Sequence, residues 1–308
     1  MDLTFPNMNN GVSILSKQNL DVNIDKLLAQ RRLYSNAKTI QCVVILITVF
    51  IPIIIAILTT FTEFKIDDKN WIFVSYTIFV LILERILENK IDRNKKIAAS
   101  IQEKFDISVL SIPENETLNT VFVDYDIIRR YSRKDKQNQK KVLRVKDWYS
   151  VKIARLQTNL STLFCQRMNI CYDASIKEKY NYCLYTLSVF TFLALLCVSL
   201  ANNFILQKFI TEVLLPCLPL FLFVYKERST NIESIDNLNN LRDLIERELD
   251  NSFIESNTDI NTIRKIQDRI YNNRILSPLI PDTIYKILWT KLEDEMNYSV
   301  ENRINNLQ

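Results

Sequence analysis

The sequence predicts an all-α membrane protein with four transmembrane helices in two hairpins, joined to helical cytoplasmic middle and C-terminal regions. Three observations predict it. Two uncharged runs are long enough to cross a bilayer, a shorter apolar run follows each, and the remaining segments are charged with apolar residues at helical spacing.

The first long run is TIQCVVILITVFIPIIIAILTTFT, Thr39 to Thr62, with no charge over 24 residues. As a helix it spans about 36 Å, against roughly 30 Å of bilayer hydrocarbon. The second is YNYCLYTLSVFTFLALLCVSLANNFILQ, Tyr180 to Gln207, and Asn202-Asn203 marks its exit from the bilayer. NWIFVSYTIFVLIL (Asn70 to Leu83) and VLLPCLPLFLFVY (Val213 to Tyr225) are short for ordinary spans. Charge settles their role. From Glu84 to Lys179 there are 20 Lys and Arg against 13 Asp and Glu, a net +7 that holds this segment in the cytoplasm. The chain must therefore recross after each long span, through EFKIDDK and through a turn around Lys208 to Glu212. The expected organisation is an N-terminal cytoplasmic segment (1–38), a first hairpin (39–87), a cytoplasmic middle (88–179), a second hairpin (180–225) and a cytoplasmic C-terminal region (226–308). The first 38 residues are polar and include Lys17, Lys26, Arg31, Arg32 and Lys38, so no cleavable signal peptide is expected.

Composition excludes most catalytic chemistry. There is no histidine, hence no imidazole base and no His-metal site. A single glycine, Gly11, excludes glycine-rich phosphate loops. Cys42, Cys165, Cys171, Cys183, Cys197 and Cys217 lack CxxC spacing and read as small buried hydrophobes. VFVDYDII, Val121 to Ile128, imitates the paired carboxylates of nucleotidyltransferases with Asp124 and Asp126, but lacks the glycine turn that chemistry needs. The expectation is no enzyme activity, no cofactor and no metal.

Four groups of residues are candidates for function. Glu84 and Arg85 extend the second span to its boundary, where they either snorkel to the interface or line a water-filled path. Pro216 and Pro219 bend the fourth span, as a packing kink or a gating hinge. RRYSRKDKQNQKKVLRVK, Arg129 to Lys146, carries nine basic residues and one acidic residue. It reads either as a solvated linker or surface on anionic headgroups, or as a site for a phosphorylated ligand or nucleic acid through Arg129, Arg130, Arg133, Lys140 and Lys141. Last, FCQRMNICYD, Phe164 to Asp173, looks like an active site. Its two thiols are six residues apart, about 240° round a helix, and cannot converge on one ligand. Leu160, Leu163, Phe164, Met168 and Cys171 instead form an apolar stripe, leaving Gln166, Arg167, Asn169 and Asp173 to couple neighbouring helices to the third span. The C-terminal region begins with Ile232, Ile235, Leu238, Leu241, Leu244 and Ile245 at helical spacing. It holds 11 basic and 15 acidic residues, a net −4 complementary to the basic middle.

LLAQRRLYSNAK (Leu27 to Lys38), IQEKFDISVLSIPEN (Ile101 to Asn115), CQRMNICYD (Cys165 to Asp173) and IQDRIYNNRILSPLIPDTIYKILWTKLEDEM (Ile266 to Met296) together resemble the SMODS-associating four-transmembrane effector family, over nearly the whole chain. Glu114 and Tyr172 depart from it, each standing where tryptophan is usual. The resemblance implies an effector of a bacterial cyclic-oligonucleotide anti-phage system, in the inner membrane. It would be linked to a cyclic-nucleotide-synthesising nucleotidyltransferase, respond to its second messenger and form homo-oligomers that permeabilise the lipid bilayer. Direct binding of the messenger stays open, as does the alternative of a membrane-anchored scaffold or sensor without a pore.

Overall fold

The computed structural model describes residues 11–55, 70–118, 120–255 and 259–305. The end of the first expected span and the connection Glu63 to Lys69 lie outside the described residues. Among the described residues the regular secondary structure is helical, with no strand. Helix α1 is Val12–Gln18; α2 is Asp21–Ile45, prolonged through a π-helical segment Leu46–Phe50 to Ile55; α3 is Asn70–Leu110. Then come α4 (Tyr125–Lys136), α5 (Gln139–Leu143), a 3-10 turn (Val151–Arg155), α6 (Thr158–Ala201), α7 (Leu215–Glu255), α8 (Ile260–Leu276) and α9 (Asp282–Asn305).

Three helical stretches are long and apolar enough to cross a membrane, namely Asp21–Ile55, Thr158–Ala201 and Leu206–Asn251. Only 6%, 11% and 28% of their most apolar windows is buried by protein, so these surfaces need a nonaqueous surrounding. The side chains Phe50, Phe190 and Leu200 are exposed there, and Phe79 is exposed on α3. Helix α3 packs along α2, and α7 along α6.

The prolines explain two irregularities. Pro52 follows the π segment Leu46–Phe50, and Pro216 follows a second π segment, Phe209–Leu214. Proline lacks the N–H that would bond to the carbonyl four residues back and its ring crowds that carbonyl, so a wider turn relieves the conflict. Near the first such turn, the Tyr76 hydroxyl donates to the Ile47 carbonyl at 2.8 Å and joins α3 to α2. The second corrects an expectation. Lys208 to Glu212, read above as a turn, is helical, so the fourth apolar helix begins at Leu206 rather than Val213. Its partner α6 ends where expected, because Asn203 takes a left-handed conformation (φ 51°) that asparagine tolerates.

The polar half is built around one large apolar cluster. It gathers Ile14, Leu27, Leu28, Phe105, Tyr149, Ile153, Phe164, Met168, Leu241, Ile245, Ile263, Ile266 and Val300 from α1 to α9. The stripe expected on α6 is present: Leu163, Phe164 and Met168 are buried, Leu160 partly so. So is the stripe on α7, except that Ile232 is 42% exposed. A second cluster, with Val49, Ile176, Tyr180, Leu220, Val224 and Leu292, sits nearer the apolar ends. A third mounts α4 on α2 and α3 through Ile128, Leu33, Ala98 and Ile101. Gly11 docks α1: its N–H donates to the Leu156 carbonyl at 2.8 Å, and a Cβ there would lie 2.0 Å from the Ile153 carbonyl oxygen.

The cysteines divide, against expectation. Cys165 and Cys217 are buried, but Cys42, Cys183 and Cys197 are exposed on the apolar helices. A thiol is apolar enough to face such a surface without a protein partner.

Candidate functional site

Two carboxylates of α3 are sunk in the polar half: Glu103 is 1% exposed and Asp106 is fully buried. Ionised groups there require partners, and α8 supplies them. Arg264 reaches Glu103 at 2.6 Å, Arg274 reaches Asp106 at 2.7 Å, and Gln267 donates to both carboxylates at 2.8 and 3.0 Å. The α8 residues Arg264, Gln267 and Arg274 are three and seven residues apart, on one helical face. Tyr149 donates to Asp106 at 2.8 Å, and Arg264 also pairs with Asp268. Burial, then the charge of Asp106, raises the Glu103 pKa. For Arg274 burial opposes the charge, but Asp106 and Glu103 outweigh it and raise the pKa. Cys165 lies beside this network, where burial and Asp106 hold its thiol well above its ordinary pKa, in the unreactive protonated form.

Helix α6 enters the network through the coupling candidates. Gln166, fully buried, donates to the Gln267 side chain at 3.1 Å and to the Ile263 carbonyl at 3.0 Å. Arg167 pairs with Glu246 of α7 at 2.5 Å and donates to Ser299 of α9 at 3.0 Å. Asn169 donates to the Tyr149 hydroxyl at 3.2 Å. Asp173 accepts from Lys177 at 2.6 Å, and the buried Lys177 ammonium also donates to Ser234 of α7 and to Ser277 just past α8. FCQRMNICYD thus contacts every helix of the C-terminal region.

Charge complementarity between middle and tail is only part of the pattern. Arg167–Glu246 and Lys152–Glu301 run from basic middle to acidic tail, whereas the buried pairs Arg264–Glu103 and Arg274–Asp106 run the opposite way. Net charge ranks segments, but burial selects individual pairs.

The basic run forms α4 and α5. Asp124 caps α4 by accepting from the Ile127 N–H at 2.9 Å. Arg129, Arg130, Arg133 and Lys140 are exposed and make no ion pair among the described residues. Lys141 differs, pairing with Asp135 at 2.7 Å, which also holds Arg32. A shallow open concavity between α4 and α5 is lined by Lys134, Gln137, Asn138, Gln139 and Lys140. At the other end of the molecule Glu84 is half-buried, Arg85 approaches Glu88 at 3.9 Å, and Pro216 and Pro219 are half-buried in the first turns of α7.

Compared with known families, residues 12–303 match the SMODS-associating 4TM effector domain. The chain belongs to that family. It is also 28% identical over 290 residues to a protein of Bacillus cereus (strain VD146) named as a probable CBASS effector molecule, covering 92% of this chain and 95% of that relative. No solved structure matches.

The blocks that carry the resemblance to the SMODS-associating 4TM effectors meet in space. Glu103 and Asp106 come from Ile101 to Asn115, Gln166 from Cys165 to Asp173, and Gln267 and Arg274 from Ile266 to Met296. Sequence reasoning missed Glu103, Asp106, Arg264, Gln267 and Arg274 as a group. The available signal was a polar stripe at helical spacing within α8, opposite a Glu-x-x-Asp pair of α3.

Proposed function

We propose that this SMODS-associating 4TM effector is the membrane-permeabilising component of a bacterial cyclic-oligonucleotide anti-phage system. A nucleotide second messenger binds its polar half, and several copies then open a path through the inner membrane and arrest the infected cell. Both termini and the middle segment face the cytoplasm, with hairpins at 39–87 and 180–225. The supporting relative is the probable CBASS effector of Bacillus cereus.

One observation carries the reading: the apolar helices do not end at the polar half but run into its core. Helix α6 is 44 residues without a break, bearing Gln166 at one end and the apolar window at the other. Helix α3 carries Glu103 and Asp106 on the same rod as Glu84 and Arg85. A shift of α8 against Glu103, Asp106 and Gln166 therefore moves rods that reach the bilayer, and Pro216 and Pro219 provide a bend in the fourth. A subunit of four spans encloses little lumen, so conduction requires several copies.

The exposed basic face of α4 and α5 is the proposed messenger surface, through Arg129, Arg130, Arg133, Lys140 and the Asp135-paired Lys141. Its position disfavours headgroup contact. The chain entering α4 bonds to Ser100, 13 residues beyond Leu87 and so about 20 Å below the end of the second span. From there α4 runs toward Asp25 at the start of α2, where Lys136 pairs at 2.9 Å. Surface potential decays over about 8 Å at physiological salt, so a soluble anion is the better partner.

Membrane depolarisation in cells expressing the protein, with active and with inactive nucleotidyltransferase, tests the function. Depolarisation only with the active enzyme is expected. None, with the protein present in the membrane, would favour the alternative of a membrane-anchored scaffold. Cyclic di- and trinucleotide binding to Arg129→Glu/Arg130→Glu tests the surface, and unchanged affinity would remove it.

A further inference from the structure

One turn of α7, Lys226 to Arg228, gathers the polar ends of the apolar stretches. Lys226 approaches Glu88 of α3 at 3.4 Å. Glu227 accepts from the Gln41 side chain of α2 at 3.3 Å and from the Tyr180 hydroxyl of α6 at 3.4 Å. Arg228 donates through Nε to Asn181 of α6 at 3.2 Å, and its guanidinium lies 5.1 Å from the centre of the Tyr185 ring. These positions share one level along the chain. Gln41 is the third residue of the first uncharged run, Tyr180 and Asn181 open the second, and Tyr225 ends the fourth apolar run. The collar therefore marks where the polar half meets the bilayer.

Arg228 is the unmatched charge of this collar. It is half-buried, makes no ion pair with a carboxylate, and its two Nη groups form no hydrogen bond among the described residues. It is also turned toward the bilayer. Its partners Asn181 and Tyr185 lie one turn apart on α6, and Tyr185 is five residues into the uncharged run, about 7 Å past its start. The nearest acid on that stretch of α6, Glu178, stands about 10 Å back along the helix from Tyr185 and is exposed. A guanidinium stays protonated even at the edge of the hydrocarbon, and there it requires an anion. Tyr182 and Tyr225 are exposed at the same level, as tyrosines are where rings sit among headgroups.

We propose that Arg228, held by Asn181 and Tyr185, is a binding site for the phosphate of a phospholipid headgroup, in the leaflet that adjoins the polar half. The Nε bond and the ring beside it fix the guanidinium plane and leave its Nη edge open, and that edge matches phosphate oxygens bidentately. The surface around it is apolar, with Leu187 of α6 and Leu222 of α7 exposed, so the phosphate that reaches this place is one carried by a lipid. The bound lipid would clasp α6 to α7 at the level where Glu227 draws in α2. The site is separate from the exposed α4–α5 surface, and the inference needs only that the apolar helices lie in a bilayer.

The test uses the full chain in detergent micelles stripped of phospholipid, with phosphatidylglycerol as probe and thermal unfolding followed by tryptophan fluorescence. A saturable rise in Tm is expected, absent with diacylglycerol of the same acyl chains, which lacks the phosphate. Arg228→Gln should raise the half-saturating concentration by about tenfold or more, and Tyr185→Leu by about threefold. Arg228→Lys keeps the charge but loses the planar fork, and should fall between wild type and Arg228→Gln. Arg85→Gln removes a boundary arginine outside the site and should leave the value unchanged. Tyr185 is exposed, so its variant decides the matter if Arg228→Gln does not fold. No rise with phosphatidylglycerol, an equal rise with diacylglycerol, or a response unaltered in Arg228→Gln or matched by the loss in Arg85→Gln overturns the site. So does an Arg228-dependent rise with inorganic phosphate alone, which would assign a soluble anion.

Discussion

Arg274 and Asp106, 168 residues apart in the chain, meet at 2.7 Å with both side chains shielded from solvent. The pair pins α8 to α3 in the middle of a network in which every charge has an opposite partner. Removing one partner strands the other charge in a poorly solvated place, and that cost exceeds what the pair contributes when intact.

Arg274→Ala should therefore destabilise the polar half by about 3–5 kcal/mol, more than the removal of any exposed pair such as Lys291–Glu295. Thermal unfolding in detergent measures it. A loss no larger than that of Lys291→Ala would show that the network is solvated.

Gly11→Ala should undock α1. The added methyl would sit 2.0 Å from a backbone carbonyl, which cannot swing away as a side chain could. Hydrogen exchange at Val12–Gln18 should rise by about tenfold or more while α6 stays protected. Unchanged protection would mean that the 3-10 turn at Val151–Arg155 yields instead.

Lys26 gives a pH dependence with a definite sign. Burial, aided by the nearby charge of Lys104, lowers its pKa to about 8. The unfolded chain, at the ordinary value near 10.5, binds more protons between those two pH values, so stability rises with pH across the window. Below it the folded state carries the full penalty of a buried ammonium, roughly 3 kcal/mol. Denaturant titrations between pH 7 and 11 should show that rise, and Lys26→Met should flatten it.

Arg167→Ala should abolish toxicity without reducing membrane insertion. Arg167 is the point where α6 holds both Glu246 of α7 and Ser299 of α9. Growth curves beside membrane fractionation decide the matter, and full toxicity in the variant refutes a coupling role.

Much of the architecture was legible because the relevant signals are local. The apolar run that begins at Thr39 announces its helix, described as far as Ile55, and the stripe through Leu163, Phe164 and Met168 announces which face of α6 is buried. The turn at Lys208 to Glu212 was misread because two charges suggested a loop. In the fold Lys208 and Glu212 lie 3.8 Å apart on one helical face and neutralise each other. The candidate site was half legible. Gln166 and Arg167 stood out as polar residues on a helix entering an apolar run, but Glu103 and Asp106 looked like ordinary solvated charges in IQEKFD.

Sequence alone determined the all-α class, the apolar rods, the family and the exclusion of histidine chemistry, since each depends on composition or on neighbours along one helix. Only tertiary structure decided that Glu103 meets Arg264 across 161 residues, and that Lys141 is paired while Lys140 makes no ion pair among the described residues. Pairing of charges is a contest among all groups that folding brings within a few ångströms. Helical periodicity tells which way a side chain points, and packing alone tells what it finds there.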